Sequence, residues 1–132
     1  MVHEASNIND NELLARFIVS KRWIKSSDHA IRFNAFMPPP DRELSVTRHL
    51  DLSEKELWRR GNSVALQMQK ELHGRADISV IQTRAQKIDV VPDPLPDNAN
   101  HACLIDWPTE KEKQILIAKE IAASANFVPV ES

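Results

Sequence analysis

The stretch from His101 to Phe127, HACLIDWPTEKEKQILIAKEIAASANF, decides how this chain folds. Its first residues are mostly apolar and indicate a short buried strand, near 101–106. Trp107-Pro108 ends that strand, because proline has no backbone N–H to donate within a sheet. Thr109 and Glu112 then have the spacing of a capping box, and apolar residues recur at helical spacing behind them. A buried strand followed directly by an amphipathic helix predicts that both pack on one core.

The composition indicates a globular domain with an ordinary balance of residues. The chain has 132 residues, of which 42% are hydrophobic and 27% charged, enough for a sizeable core. A net charge of −2 provides no overall attraction to nucleic acid or to an anionic membrane. The single cysteine excludes an internal disulfide framework, and no apolar run approaches the roughly 20 residues that a membrane-spanning helix needs. Since the N-terminus also lacks the features of a signal peptide, we expect a cytoplasmic protein with neither a membrane nor a nucleic-acid partner.

Two principal helices are predicted, over residues 53–72 and 109–126. The first begins at a capping box formed by Ser53 and Glu56, and a stripe of apolar residues follows at helical spacing. His73-Gly74 is expected to end it, with Gly74 as the left-handed residue of a C-terminal cap.

Alternation of apolar and polar residues predicts the strands. The predicted strands lie near 14–19, 30–36, 43–49, 76–83, 87–91 and 101–106. The segment 13–24 is ambiguous, because its apolar residues also fit a helical stripe. We prefer a strand there, since phenylalanine, isoleucine and valine favour strands. The expected fold is therefore α+β, a mainly antiparallel sheet of four to six strands with the two helices packed on it. Residues 1–10 are expected to form a disordered tail, and residues 11–132 a single domain.

Three groups of residues carry a resemblance to a known family. They are AFMPP at 35–39 with LSVTR at 44–48, HGRAD at 73–77, and NHACLIDWP at 100–108. Together, over roughly residues 14–127, the chain resembles a family of small uncharacterised bacterial proteins. The resemblance implies a single-domain bacterial protein and brings no activity or catalytic assignment with it.

The HGRAD motif contains the first candidate site. If the strand after the first helix begins at residue 73, the i, i+2, i+4 spacing places His73, Arg75 and Asp77 on one face. Histidine can transfer protons near neutral pH, arginine can bind a phosphate with two hydrogen bonds, and aspartate can orient the histidine. The structural alternative is a helix exit followed by a solvated strand face, on which Arg75 and Asp77 form an ion pair.

His101 is the second candidate, because it follows a proline-rich loop of the kind that often carries binding residues. With His73 as a second acid or base, it could form a catalytic pair across neighbouring strands. Arg48 and Arg75 would bind the anion, and Asp77 would complete the site. His49 is an alternative contributor from the strand that holds Arg48.

No metal site and no cofactor are predicted. The histidines at 29, 49, 73 and 101 show none of the close spacings of zinc motifs. Cys103 has the apolar neighbours of a small core residue.

Two functional hypotheses follow. The first is a module that binds a protein partner or assembles with itself, based on the lack of a strong catalytic motif. The alternative is a small enzyme or sensor that acts on a nucleotide or another phosphorylated ligand through the His/Arg site.

Overall fold

The computed structural model describes residues 8–130, and their arrangement confirms the predicted α+β fold. The strands are β1 (Leu13–Ile18), β2 (Leu44–Arg48), β3 (Gly74–Ser79), β4 (Asp89–Pro92), β5 (His101–Ile105) and β6 (Asn126–Pro129). The α-helices are α1 (Glu54–Gln67), α2 (Val80–Ala85) and α3 (Lys111–Ser124), and short 3₁₀ turns cover Lys21–Trp23 and Phe33–Phe36. The described strands form one antiparallel sheet in the order β4-β5-β2-β1-β3-β6.

One face of the sheet carries the main hydrophobic core. Alternate residues of β1, such as Leu14 and Ile18, pack there with Ile78 of β3 and with Ala118 and Ile121 of α3. The fully buried leucine, isoleucine and valine residues of the strands all lie on this face, so that burial of apolar area here drives folding. Trp107 closes the core at the start of α3, and its indole N–H donates to the carbonyl of Leu104.

The opposite face of the sheet, which we call the α1 face, is much more polar. The register places His101, Thr47, Ala15 and Asp77 in one row across β5, β2, β1 and β3. A small apolar cluster of Ala15, Phe17 and Leu57 attaches α1 to the middle of this face. Of the candidate site residues, His101, Asp77 and Arg75 therefore lie on the face that α1 covers.

Helix α1 is capped at both ends by hydrogen bonds of neighbouring residues. Ser53 and Glu56 form the predicted capping box. At the other end the N–H groups of Gln69 and Lys70 donate to the carbonyls of Leu66 and Ala65, the pattern of a Schellman motif.

The predicted C-terminus of the first helix was wrong. The helix ends at Gln67, and the left-handed residue of its cap is Gln69, with φ of 57°. Gly74 instead begins β3, where a Cβ would lie 2.5 Å from the carbonyl oxygen of Val128 and 2.7 Å from the ring of Phe127. Glycine at position 74 therefore lets the β6 segment approach β3.

The predicted strand 30–36 was also wrong. Phe33–Phe36 is a 3₁₀ turn in which the consecutive residues Ala35 and Phe36 are both buried, which alternation along a strand would not allow. The strand predicted over 76–83 ends at Ser79. Helix α2 follows it, because the side chain of Gln82 accepts from the N–H of Ser79 as in a helix start.

At the C-terminal end, the predicted capping box of Thr109 and Glu112 does not form. Helix α3 begins one residue later, with Glu110 at the N-cap position and the Thr109 hydroxyl directed to the Glu110 carboxylate. The helix ends at Ser124, and β6, which the sequence pattern did not predict, follows and pairs with β3.

At the N-terminus, residues 1–7 of the predicted tail lie outside the described residues. Ile8 belongs to the core, and Asp10 forms an ion pair with Arg84, so the predicted tail is at least three residues too long. No helix within the described range has the length and apolar character needed to cross a membrane.

Candidate functional site

A gap between β1 and β2 opens beneath α1. Within residues 8–130 these strands pair only at Leu14–Arg48 and Ala15–Thr47, whereas β1 pairs with β3 along its whole length. Beyond Ala15 the strands separate, and the side chain of Arg16 fills part of the opening. Its Nε donates to the carbonyl of Ala35 at 2.8 Å and its Nη1 to the carbonyl of Ser45 at 3.0 Å. A single arginine thus replaces strand-to-strand hydrogen bonds.

A cavity of about 60 Å³ lies in this gap. Its polar lining comes from Arg16, Ser45, Thr47 and His101. The apolar lining comes from Ala15, Phe17, Val19, Trp23 and Val46 near the strands, from Val64 of α1 and from Met68, the C-cap residue of that helix. Since a water molecule occupies about 30 Å³ in the liquid, the space accommodates a group on the order of two waters in size.

Arg16 is the charged group of this cavity. Its guanidinium carbon lies 5.2 Å from the centre of the Trp23 ring, a cation–π contact. Burial lowers the pKa of Arg16 to about 10, because the surrounding protein replaces water that would favour the charged form. Among the described residues, no carboxylate forms an ion pair with it. Arg16 is half-buried, and charges drawn away from water are normally paired, so the cavity combines a cation with room for a counter-ion.

Arg75 and Asp77 of the HGRAD motif form a second cluster, at the N-terminal end of α1. Arg75 is buried, and its guanidinium donates to both oxygens of Asp77 and both oxygens of Glu54, at 2.8 to 3.2 Å. It also lies 4.8 Å from the centre of the Trp58 ring. His49 contacts Asp77 through Nε2 at 3.0 Å. These contacts engage every nitrogen of the guanidinium, so the cluster has the form of a structural connection between α1 and β3.

The ionisation of this cluster is consistent with such a connection. The hydrogen bond from Arg75 lowers the pKa of Glu54. Burial acts to lower the pKa of Arg75, but its hydrogen bonds to Glu54 and Asp77 outweigh burial, and the pKa of Arg75 is raised. Both groups are therefore charged near neutral pH and neutralise each other.

His101 belongs to a third cluster, at the β4–β5 edge. Asp93 extends the β4–β5 ladder, since its N–H donates to the carbonyl of His101. His101 Nδ1 lies 2.9 Å from the carbonyl oxygen of Asp93 and 3.2 Å from its carboxylate. The thiol of Cys103 contacts the same carboxylate oxygen at 3.6 Å. Cys103 is buried, as expected, and burial followed by the charge of Asp93 raises the pKa of its thiol to about 12.

The structure does not bring the predicted acid–base and anion-binding residues to one centre. His101 on β5 and the β3 residues are separated by three strand intervals, or about 14 Å at roughly 4.8 Å per interval. His73 lies four residues from Asp77, so its Cα is on the order of 20 Å from that of His101 at about 3.4 Å per residue. Since catalytic groups must act at hydrogen-bond distance, His73 and His101 do not form a pair.

Arg48 and Arg75 are also separated. Arg48 is opposite Leu14 in the register, on the core face, whereas Arg75 is opposite Phe17 on the α1 face. Arg48 forms a bidentate ion pair with Glu12, in which Nε and Nη2 each donate to a carboxylate oxygen at 2.8 Å. This ion pair occupies the donors that were expected to bind an anion. Arg75 and Asp77 do share a face, as predicted, but they bind each other.

Sequence reasoning missed Arg16 and Asp93. The pattern contained a signal for Arg16, because it alternates with Leu14 and Ile18, which both face the core, and a charged residue in that position requires a specific partner. Asp93 carried no comparable signal, since it lies among the prolines of a loop and meets His101 only through the register of β4 and β5.

Comparisons of the chain with protein-family models, with curated proteins and with solved structures find no match.

Proposed function

We propose that this protein binds a small anionic ligand, with a carboxylate or phosphate group held in the cavity beneath α1. The observation that carries the proposal is the guanidinium of Arg16, which faces this cavity without a carboxylate partner among residues 8–130. Its remaining donors would bind the anion, and the charge-assisted hydrogen bond would be stronger than one between neutral groups.

The size and lining of the cavity define the ligand class. A cavity of about 60 Å³ holds a carboxylate or phosphate group but not a whole nucleotide, so only the anionic end of a larger ligand would enter. Thr47 and His101 offer further polar contacts, and Phe17 and Val64 exclude water from the other side. This proposal retains the anionic ligand of the second hypothesis but replaces its binding arginines, and it requires no catalytic step.

Ligand screening by thermal unfolding tests the proposal. Phosphate, sulfate, acetate and short phosphorylated or dicarboxylic metabolites are added at constant ionic strength, and the shift of Tm is measured. Binding to the folded state raises Tm, and we expect Arg16→Gln to abolish the shift. Arg32→Gln, which changes an exposed arginine, is the control and should retain it.

Arg16 also supports the fold, so a second variant avoids its substitution. Val64→Phe places a larger side chain into the cavity from α1 and should remove ligand binding while the charge of Arg16 remains. If no anion stabilises the wild type more than Arg16→Gln, or if Val64→Phe folds and binds as the wild type does, the proposal is refuted.

A separate observation favours the protein-binding hypothesis as a second candidate. Leu66 is 78% exposed on the outer side of α1, and a groove lined by Trp58, Arg59 and Val130 lies on that side of the helix nearer its start. An exposed leucine on the same side of a helix as an aromatic groove offers apolar and aromatic surface to a protein partner. Sedimentation over a wide concentration range tests self-assembly: association that Leu66→Asp abolishes would support it, and a monomer at all concentrations would exclude it.

A further inference from the structure

The β4–β5 edge brings together three side chains that commonly bind transition metals. Val91 is opposite Cys103 in the register, and the ladder continues to Asp93 and His101. Residues 101 and 103 share a face of β5, and Asp93 approaches both from the neighbouring strand. One ligand atom from each of the three residues lies within 4.8 Å of the others. The antiparallel register thus converts three separated sequence positions into a compact set of imidazole, carboxylate and thiol.

We infer that Asp93, His101 and Cys103 bind a divalent transition-metal ion of the zinc class. The inference is independent of the anion-binding proposal, although His101 takes part in both sites.

Two of the three separations between the ligand atoms match those between zinc ligands, and the third is no more than 4.8 Å. Zinc binds sulfur at about 2.3 Å and nitrogen or oxygen at about 2.0 to 2.2 Å, so tetrahedral geometry separates the ligand atoms by about 3.3 to 3.6 Å. The nitrogen of His101 lies 3.2 Å and the sulfur of Cys103 3.6 Å from the same carboxylate oxygen of Asp93. A metal ion can therefore be accommodated with small movements of the side chains.

Charge and protonation also balance. A thiolate, a carboxylate and a neutral imidazole neutralise a divalent cation, and the Cys103 proton passes to solvent when the metal binds. Coordination through Nδ1 of His101 requires the ring to give up its hydrogen bond to the Asp93 carbonyl and to carry its proton on Nε2. Three protein ligands leave the fourth position for water, as in zinc sites with an open coordination position.

The competing interpretation is a metal-free hydrogen-bonded cluster, in which the His101 ring and the Cys103 thiol both hydrogen-bond to Asp93. The two interpretations differ in a spectroscopic signature. Cobalt(II) bound to a thiolate produces an intense charge-transfer absorption in the near ultraviolet, whereas a hydrogen-bonded cluster does not bind cobalt at all.

The test uses the full chain, reduced and stripped of metal with EDTA. Titration with cobalt(II) should produce the charge-transfer band at one equivalent, and zinc should displace the cobalt. Calorimetry in buffers of different ionisation enthalpy should show the release of about one proton per zinc at neutral pH, since the thiol must lose its proton.

Variants assign the binding to these residues. Loss of a partner that only orients a metal ligand commonly weakens binding by about 10- to 100-fold, so loss of a ligand itself should weaken zinc binding by about 100-fold or more. We expect this effect for Cys103→Ser and for Asp93→Asn, and Cys103→Ser should also lose the charge-transfer band. His49→Gln changes another histidine that contacts a carboxylate and is the matched control with unchanged binding.

Each outcome decides the inference. Absence of the band in the wild type, or zinc binding that is equal in wild type, Cys103→Ser and Asp93→Asn, would overturn it. Asp93 is exposed, so Asp93→Asn should fold even if the buried cysteine does not tolerate substitution. Val64→Phe should retain zinc while it loses the anion, which separates failure of this inference from failure of the proposed function.

Discussion

Removal of the guanidinium at position 75 is the sharpest test of the α1–β3 connection. Arg75→Met keeps an apolar side chain of similar length but removes the hydrogen bonds to Asp77 and Glu54 and the contact with Trp58. If HGRAD is a structural motif, this change should lower the free energy of unfolding substantially. If Arg75 mainly serves a ligand, the protein should lose little stability.

The expected loss can be estimated from the exposure of each partner. The side chain of Glu54 is 68% exposed and returns to water, so its ion pair contributes less than about 1 kcal/mol. The contact with Trp58 contributes about 1 kcal/mol. The side chain of Asp77 is only 11% exposed and keeps His49 as its remaining partner, so its lost hydrogen bonds cost about 1 to 3 kcal/mol. Arg75→Met should therefore destabilise the protein by about 3 kcal/mol in total.

Urea unfolding followed by far-ultraviolet circular dichroism at pH 7 measures this loss. Glu54→Gln should cost less than about 1 kcal/mol, and Arg59→Met, on the exposed side of the same helix, should remain within about 0.5 kcal/mol of the wild type. The reasoning is refuted if Arg75→Met also costs less than about 1 kcal/mol, or if Glu54→Gln is as destabilising as Arg75→Met.

Three further predictions concern the helices and the buried thiol. Leu57 is only 2% exposed and packs against β1, so Leu57→Ala should lower the free energy of unfolding by about 2 to 5 kcal/mol. The control Leu66→Ala, at an exposed residue, should change it by less than about 0.5 kcal/mol. Equal urea midpoints for the two variants would contradict this packing. Ser53→Ala should lower the free energy of unfolding by about 1 kcal/mol, because it removes the N-cap of α1. Thr109→Ala should leave it almost unchanged, since Thr109 does not cap α3. Similar losses of stability in thermal unfolding would mean that Thr109 is a cap after all. Burial raises the pKa of Cys103 to about 12 from its ordinary value of 9.0, so the folded state keeps the thiol neutral at a pH at which the thiol of the unfolded state ionises. Its contribution to stability is therefore full below pH 9.0 and declines as the pH rises toward 12; metal-free protein should react slowly with a thiol reagent at pH 8, and labelling as fast as in urea would contradict the burial.

Local sequence was sufficient where neighbouring residues decide the structure. The capping box at Ser53 depends on a partner three residues away, so it was predictable and is present. The strand that begins at His101 was predictable for the same reason, because its apolar run ends at a proline. The prediction for Thr109 failed because Trp107 is held in the core and Pro108 accepts a hydrogen bond from Gln114, which shifts the first helical residue.

The candidate site required more than local pattern. The spacing of Arg75 and Asp77 correctly placed both on one face. The hydrogen bonds from the two Nη atoms of Arg75 to Glu54 could not be predicted, because they depend on the packing of α1 across that face. His73 and His101 were expected to meet because both adjoin strands. The strand order separates them, and no periodicity within either strand contains that information.

The sequence by itself therefore determined the class of fold, the two principal helices and the core strand from His101, because backbone periodicity and capping act over a few residues. Tertiary structure alone decided which side chains meet. The separation of β1 from β2 gives Arg16 its cavity, and the register of β4 on β5 places Asp93 beside His101 and Cys103. Contacts of this kind between distant side chains depend on strand order and register, which are set by the packing of the whole core rather than by any one segment.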